Sequence, residues 1–173
     1  MPRIPYFDMA NTSAELRETL KSRPPLNIYR MLSHSGPAAL GFLKLGAALL
    51  RENQLDSRLR ELAILRVGIL CRAGYEVFQH KRVARNVGVS EEKIAALEDG
   101  PDHPIFENIE RKVLRYTDQV VFNVKAGDST FNALAQVLSH RELTELTITI
   151  GYYMMVSRFL ENFEVEIEEK PVV

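Results

Sequence analysis

Apolar residues recur along most of the chain at spacings of three and four, the period that gathers them on one face of an α-helix. Behind Pro37 they fall at Leu40, Leu43, Ala47 and Leu50, and proline suits a first helical turn, so a helix is expected over 37–52. Leu59, Leu62, Ala63, Arg66 and Ile69 form the next stripe, ending near Leu70, with Asp56 or Ser57 available as its cap. A further helix is expected from Tyr75 to Asn86, with Gly88 as its left-handed terminator. Ser90 caps a short helix whose first turn carries Glu91 and Glu92, favoured there by the helix dipole, and Asp99-Gly100-Pro101 ends it.

Ile105, Ile109, Val113, Tyr116, Val120 and Val124 spell a long amphipathic helix that stops at Gly127. Helices from Ser129 to about Leu138 and from Arg141 to Phe163 complete the series, and the acidic run over 164–170 reads as solvated or as a short extended segment. Nowhere do strand and helix patterns alternate, so an all-α fold is predicted. Residues 1–36 differ from the rest. Segments 1–12 and 21–36 are rich in Pro, Ser and Asn, and they flank one short helix near Ser13–Leu20 that Pro24-Pro25 stops. The expected organisation is an irregular arm over 1–36 and a single helical domain over 37–173.

Composition narrows the classes of function. The 173 residues, 46% apolar and 26% charged, suit one soluble domain with a sizeable core. A net charge of -1 gives no electrostatic case for nucleic acid or for an anionic membrane surface. The longest apolar run, Leu146 to Val156, is about half of the ~20 residues needed to span a bilayer. The N-terminus breaks any secretory apolar run with two prolines and an aspartate. One cysteine, Cys71, allows neither an intrachain disulfide nor a sulfur-rich metal site. A cytoplasmic location is expected.

The chemistry concentrates between Arg60 and Gly88. Glu61, Glu76 and His80 lie among apolar residues there, and buried ionisable groups are costly unless paired. Glu76 and His80, four apart, share a helix face. On one straight helix Glu61 would lie roughly 28 Å from His80, too far to cooperate. A reversal at Cys71-Arg72-Ala73-Gly74 would bring them together. Glu61 also has Arg60 or Arg66 as possible partners. A metal site is a competing reading of Glu61, Glu76 and His80, although helix bundles that hold two irons use Glu-x-x-His with further carboxylates.

Leu59-Arg60-Glu61-Leu62, Tyr75-Glu76 with His80, Ala84, Gly88-Val89-Ser90, Ile94 and Leu97 together resemble the carboxymuconolactone decarboxylase family, which includes AhpD-like alkylhydroperoxidases. The resemblance is clear over about residues 55–98. It implies an AhpD-like helical domain, assembly as homotrimers or homohexamers, and no cofactor or metal. In the peroxidase branch a glutamate precedes Cys-x-x-Cys, and a histidine follows four residues after the second cysteine. Here Glu61 and His80 hold the outer positions, while Ala73 and Glu76 hold those of the two cysteines.

Dithiol peroxide reduction needs an attacking thiolate and a resolving thiol, so the resemblance points to the branch without thiols. The implied activity is a cofactor-independent lyase acting on a small carboxylated lactone or related acid. His80 is the expected general acid, with Glu76 and Glu61 tuning it. Arg66 and Arg72 are the candidate cations for the substrate carboxylate, and Tyr75 is taken as a further substrate-binding residue. A peroxidase-related activity and a non-catalytic ligand-binding oligomer stay open as alternatives. Tyr152 and Tyr153 are expected in the core or at a subunit interface.

Overall fold

A computed structural model of the protein describes residues 1–168. Among these residues the chain forms helices and no strand, as the spacing of apolar residues predicts. The helices are α1 (Ala14–Lys21), α2 (Asn27–Leu32), α3 (Pro37–Arg51), α4 (Ser57–Leu70), α5 (Gly74–Asn86), α6 (Glu91–Ala96), α7 (Asn108–Asn123), α8 (Asp128–Ala135) and α9 (His140–Phe163). Contacts divide the chain into two compact units, one of residues 1–52 with 159 onwards, the other of residues 53–158.

In the first unit, Leu16 of α1, Leu32 of α2 and Ala39 and Leu43 of α3 share a core, with Phe159 packed against it. Segment 21–36, read from its prolines as irregular, contains α2 and a following 3-10 turn over Ser33–Ser35. Helix α2 forms without a capping side chain because Ile28, Met31 and Leu32, at helical spacing, are all buried. The acidic run after α9 is not helical through 168. Its Glu164 accepts from Arg3 Nε at 2.9 Å, and a Glu168 carboxylate oxygen accepts from the Asn27 amide at 2.6 Å. Residues 169 and 170 of that run lie outside the described residues.

The second unit is built round α4. Asp56 caps this helix, accepting from the amides of Arg58 and Leu59 at 2.9 and 3.2 Å. The sequence suggests one apolar stripe, but every residue from Leu59 to Gly68 is buried. Helices α5 and α7 pack against it, and Leu62 and Leu65 join Ala84, Ile94, Leu97, Phe106 and Leu114 in one core. Burial on all sides has a chemical consequence. The charged residues Arg60, Glu61 and Arg66 of this helix must find their partners inside the protein.

The chain reverses between α4 and α5 where the sequence predicts. The left-handed residue of the turn is Arg72, at φ 56°, rather than Gly74. The Ala73 amide reaches back to the Gly68 carbonyl at 2.8 Å, closing the end of α4. Gly68 has a separate task. A Cβ there would stand 2.9 Å from Val77 Cγ2 and 3.7 Å from Glu76 Cγ, so the missing side chain lets α5 approach α4 closely. That approach sets the register of the two helices and aims Glu76 and His80 at Glu61.

Candidate functional site

His80 stands between two carboxylates. Its Nδ1 is 2.6 Å from Glu61 Oε2, a contact across the α4–α5 hairpin. Its Nε2 is 3.0 Å from Glu76 Oε1, one turn earlier on α5. The two contacts differ in kind. The first is a hydrogen bond between buried groups, Glu61 being fully buried. The second is an ion pair outside hydrogen-bonding geometry, and Glu76 Oε1 is buried with no hydrogen-bond partner among the described residues.

Arg60 completes the charge balance. Its Nε donates to Glu61 Oε1 at 3.1 Å, and its Nη1 to Asn53 Oδ1 at 3.2 Å. Of the two arginines open to Glu61, Arg60 takes it. With His80 protonated, the cluster holds two cations and two carboxylates and is neutral. Tyr153 of α9 covers the imidazole edge-on, with ring centroids 4.9 Å apart, and Tyr152 meets Tyr153 at 5.3 Å.

The electrostatics favour the charged imidazole. Burial by itself would lower the His80 pKa, but the Glu76 charge and the Glu61 hydrogen bond outweigh it and push it up to about 10. His80 is therefore an imidazolium at neutral pH. Burial pushes the Tyr153 hydroxyl well above its usual range, and the charges of Glu76 and Glu61 push it the same way. Tyr153 stays a neutral phenol beside the cluster.

The remaining candidates lie apart from this cluster. Arg66 donates to both oxygens of Asp118, from Nε at 2.7 Å and from Nη2 at 2.9 Å. Its Nη1 donates to the Leu97 carbonyl at 2.6 Å. The expectation of Arg66 as a free cation for substrate is corrected by this engagement, because its guanidinium ties α4 to α7 and to the end of α6. Arg72 is exposed at the turn, and Tyr75 is buried in the first turn of α5. Cys71 is half-buried at the end of α4. Tyr153 is the member of the cluster that sequence reasoning placed only in the core or at an interface. Its helical spacing on α9 marks it as buried but does not reveal which side chain it meets.

Among the described residues no group of three or more His, Cys, Asp or Glu side chains is arranged to hold a metal ion. No helix among them is long and apolar enough to cross a membrane. The Glu61–His80–Glu76 arrangement lies within residues 37–119, which match the carboxymuconolactone decarboxylase family. Over those residues the chain is similar to that family.

No curated protein sequence matches the chain significantly. Solved structures do match it in fold. One is a protein of unknown function from Agrobacterium tumefaciens, proposed as an antioxidant defence protein AhpD. It is 23% identical, with 86% of this chain and 100% of that chain covered and a TM-score of 0.75. Another is an alkylhydroperoxidase AhpD core, an uncharacterised peroxidase-related protein from Ralstonia eutropha. It is 15% identical, with 97% and 93% covered and a TM-score of 0.84. A third is a debrominase solved in complex with 2,3,4-tribromopyrrole, 14% identical, with 98% and 95% covered and a TM-score of 0.76. At these identities the likeness is one of fold, and it confirms the all-α AhpD-like architecture.

Proposed function

We propose that the protein is a cofactor-independent lyase that releases carbon dioxide from a small carboxylated lactone or a related acid. The observation that carries this reading is the His80 imidazolium, held by Glu61 on one side and Glu76 on the other. Decarboxylation leaves an electron pair that flows into a conjugated carbonyl, and a carbon must then be protonated. An imidazolium whose pKa is pushed up to about 10 carries its proton across the neutral range. The carbanion it meets is far more basic, so transfer from Nε2 runs downhill, and solvent restores the proton afterwards. Glu61 is the positioning residue, fixing the ring through Nδ1.

With Arg66 engaged by Asp118, exposed Arg72 is left as the cation for the substrate carboxylate, beside Tyr75. The dithiol alternative lacks its reagents, since Cys71 is the single cysteine of the sequence. Assembly as a homo-oligomer belongs to the same proposal. Ile148 and Met155 are 43% and 47% exposed at helical spacing on α9, a face suited to a second copy.

The test is carbon dioxide release from a panel of unsaturated carboxylated lactones and β-keto acids. Wild type is expected to turn over at least one of them. His80→Gln is expected to lower kcat by about 10²–10⁴, the usual contribution of a positioned acid. Unchanged turnover in His80→Gln, or no release from any of the compounds by wild type, overturns the reading.

A further inference from the structure

Three of the four hydrogen-bonding sites that His80 and Glu61 direct into the cluster are engaged. Glu61 Oε2 holds His80 Nδ1 at 2.6 Å, and Glu61 Oε1 holds Arg60 Nε at 3.1 Å. The ring's second nitrogen is the one left over. It lies 3.0 Å from Glu76 Oε1, yet that contact is not a hydrogen bond, and Glu76 Oε1 is buried without any partner among the described residues. The imidazolium charge offsets that of the carboxylate, but the oxygen keeps lone-pair capacity that an O–H donor can fill. Donor and acceptor thus stand side by side at one edge of the imidazole. Tyr153 closes the ring face, Glu61 is fully buried behind it, and His80 keeps 8% of its surface accessible.

We propose that the Nε2 edge of His80 and Glu76 Oε1 form a subsite for an uncharged enol or hydroxy-carbonyl end of the substrate, whose oxygen accepts from Nε2 while the neighbouring O–H donates to Glu76. A free carboxylate does not belong there. It would offer Glu76 no proton, and it would add a third negative charge to a buried cluster that is already neutral. The subsite rests on the lyase reading only for its place in catalysis. Within that reading the carbonyl that takes up electrons enters at His80, and the leaving carboxylate is held outside the pair.

The experiment is a binding comparison on the wild-type protein near neutral pH, read by the 15N shifts of the His80 ring and by calorimetric Kd. Three probes separate the contributions. Maltol, a neutral hydroxy-pyranone, has the acceptor and the donor on neighbouring atoms. Its O-methyl ether keeps the acceptor and lacks the donor. Benzoate is a carboxylate of similar size. Maltol is expected to shift Nε2 more than Nδ1 and to bind about tenfold or more tighter than the ether or benzoate, the usual cost of one buried partner left unmade. In Glu76→Gln that preference for maltol over its ether is expected to shrink to about twofold or less.

Three outcomes each overturn the subsite: an ether or benzoate that binds as tightly as maltol, no maltol shift at Nε2, or a preference that survives in Glu76→Gln. The wild-type comparison stands even if the variant does not fold. Because no step reads turnover, a failure here is distinct from a failure of the lyase reading, which shows as absent carbon dioxide release.

Discussion

Arg66 and Glu61 are five residues apart on α4 and both are buried, but their surroundings meet opposite standards. Arg66 donates from Nε, Nη1 and Nη2 to Asp118 and Leu97, so each of its three nitrogens has an acceptor within 2.9 Å. The cluster at Glu61 is neutral in total, yet one carboxylate oxygen of Glu76 has no hydrogen bond. One site joins helices, and every guanidinium nitrogen in it has an acceptor. The other retains a buried acceptor next to a charged donor. The difference separates a charge that holds a fold from a charge available for chemistry, and burial alone does not distinguish them.

The largest expected effect comes from breaking the closed site. Asp118→Ala leaves the Arg66 guanidinium buried without its carboxylate, and removal of one partner from a buried pair typically costs about 3–5 kcal/mol. Urea unfolding should show this as a lower midpoint with an unchanged slope. Glu76→Gln removes a charge from the neutral cluster but no hydrogen bond of good geometry, so it should cost less than Asp118→Ala. If Glu76→Gln destabilises the protein as much as Asp118→Ala, the two clusters are of one kind and the distinction fails.

A smaller effect tests the charge state of the open site. His80 has a folded pKa of about 10, above the value of 6.5 for an unfolded histidine. The folded state therefore binds the proton more tightly, and its stabilising contribution is fully present below pH 6.5. It is lost as the pH rises through that value towards 10. The loss across this window is seen as a falling unfolding free energy with rising pH. Glu61→Gln removes the charge of the 2.6 Å partner of Nδ1, so it should lower the imidazole pKa in an NMR titration and flatten the pH dependence. A slope identical in wild type and Glu61→Gln would assign the effect to other groups.

How much of this was legible in the sequence follows from the range of each interaction. The helices other than α2, a cap at Asp56 or Ser57 and the reversal at residues 71–74 are local, and spacing with turn chemistry predicted them. The meeting of Glu61 with His80 then followed from hairpin geometry, because two helices joined by a tight turn run back along each other. What periodicity could not give was the neighbour of each buried group. Arg60 and Arg66 were equal candidates for Glu61 until α7 brought Asp118 to Arg66. The Tyr153 contact depends on how α9 crosses the hairpin, which no local signal encodes. The unbonded Glu76 oxygen depends on an angle set by the close approach at Gly68, a tertiary quantity with no one-residue signature.

The smallest expected effect concerns buried hydroxyls that share one property with Glu76 and lack another. Thr149 and Ser157 lie one turn to either side of Tyr153 on α9, are 0% and 1% exposed, and have hydroxyl oxygens without a hydrogen-bond partner among the described residues. Thr147 on the same helix shows the ordinary arrangement, its hydroxyl donating to the Leu143 carbonyl at 2.8 Å. Neither unbonded hydroxyl carries charge or takes part in the contacts among Arg60, Glu61, Glu76 and His80, so neither should matter as Glu76 does. Thr149→Val keeps the side-chain shape and removes an unsatisfied polar atom, and it should raise stability by about 1 kcal/mol or leave it unchanged. Calorimetric unfolding of Thr149→Val measures this. A clear loss of stability would show that the hydroxyl has a partner in solution, and Thr149 would then join Glu76 as a polar group kept for a ligand or an ordered water.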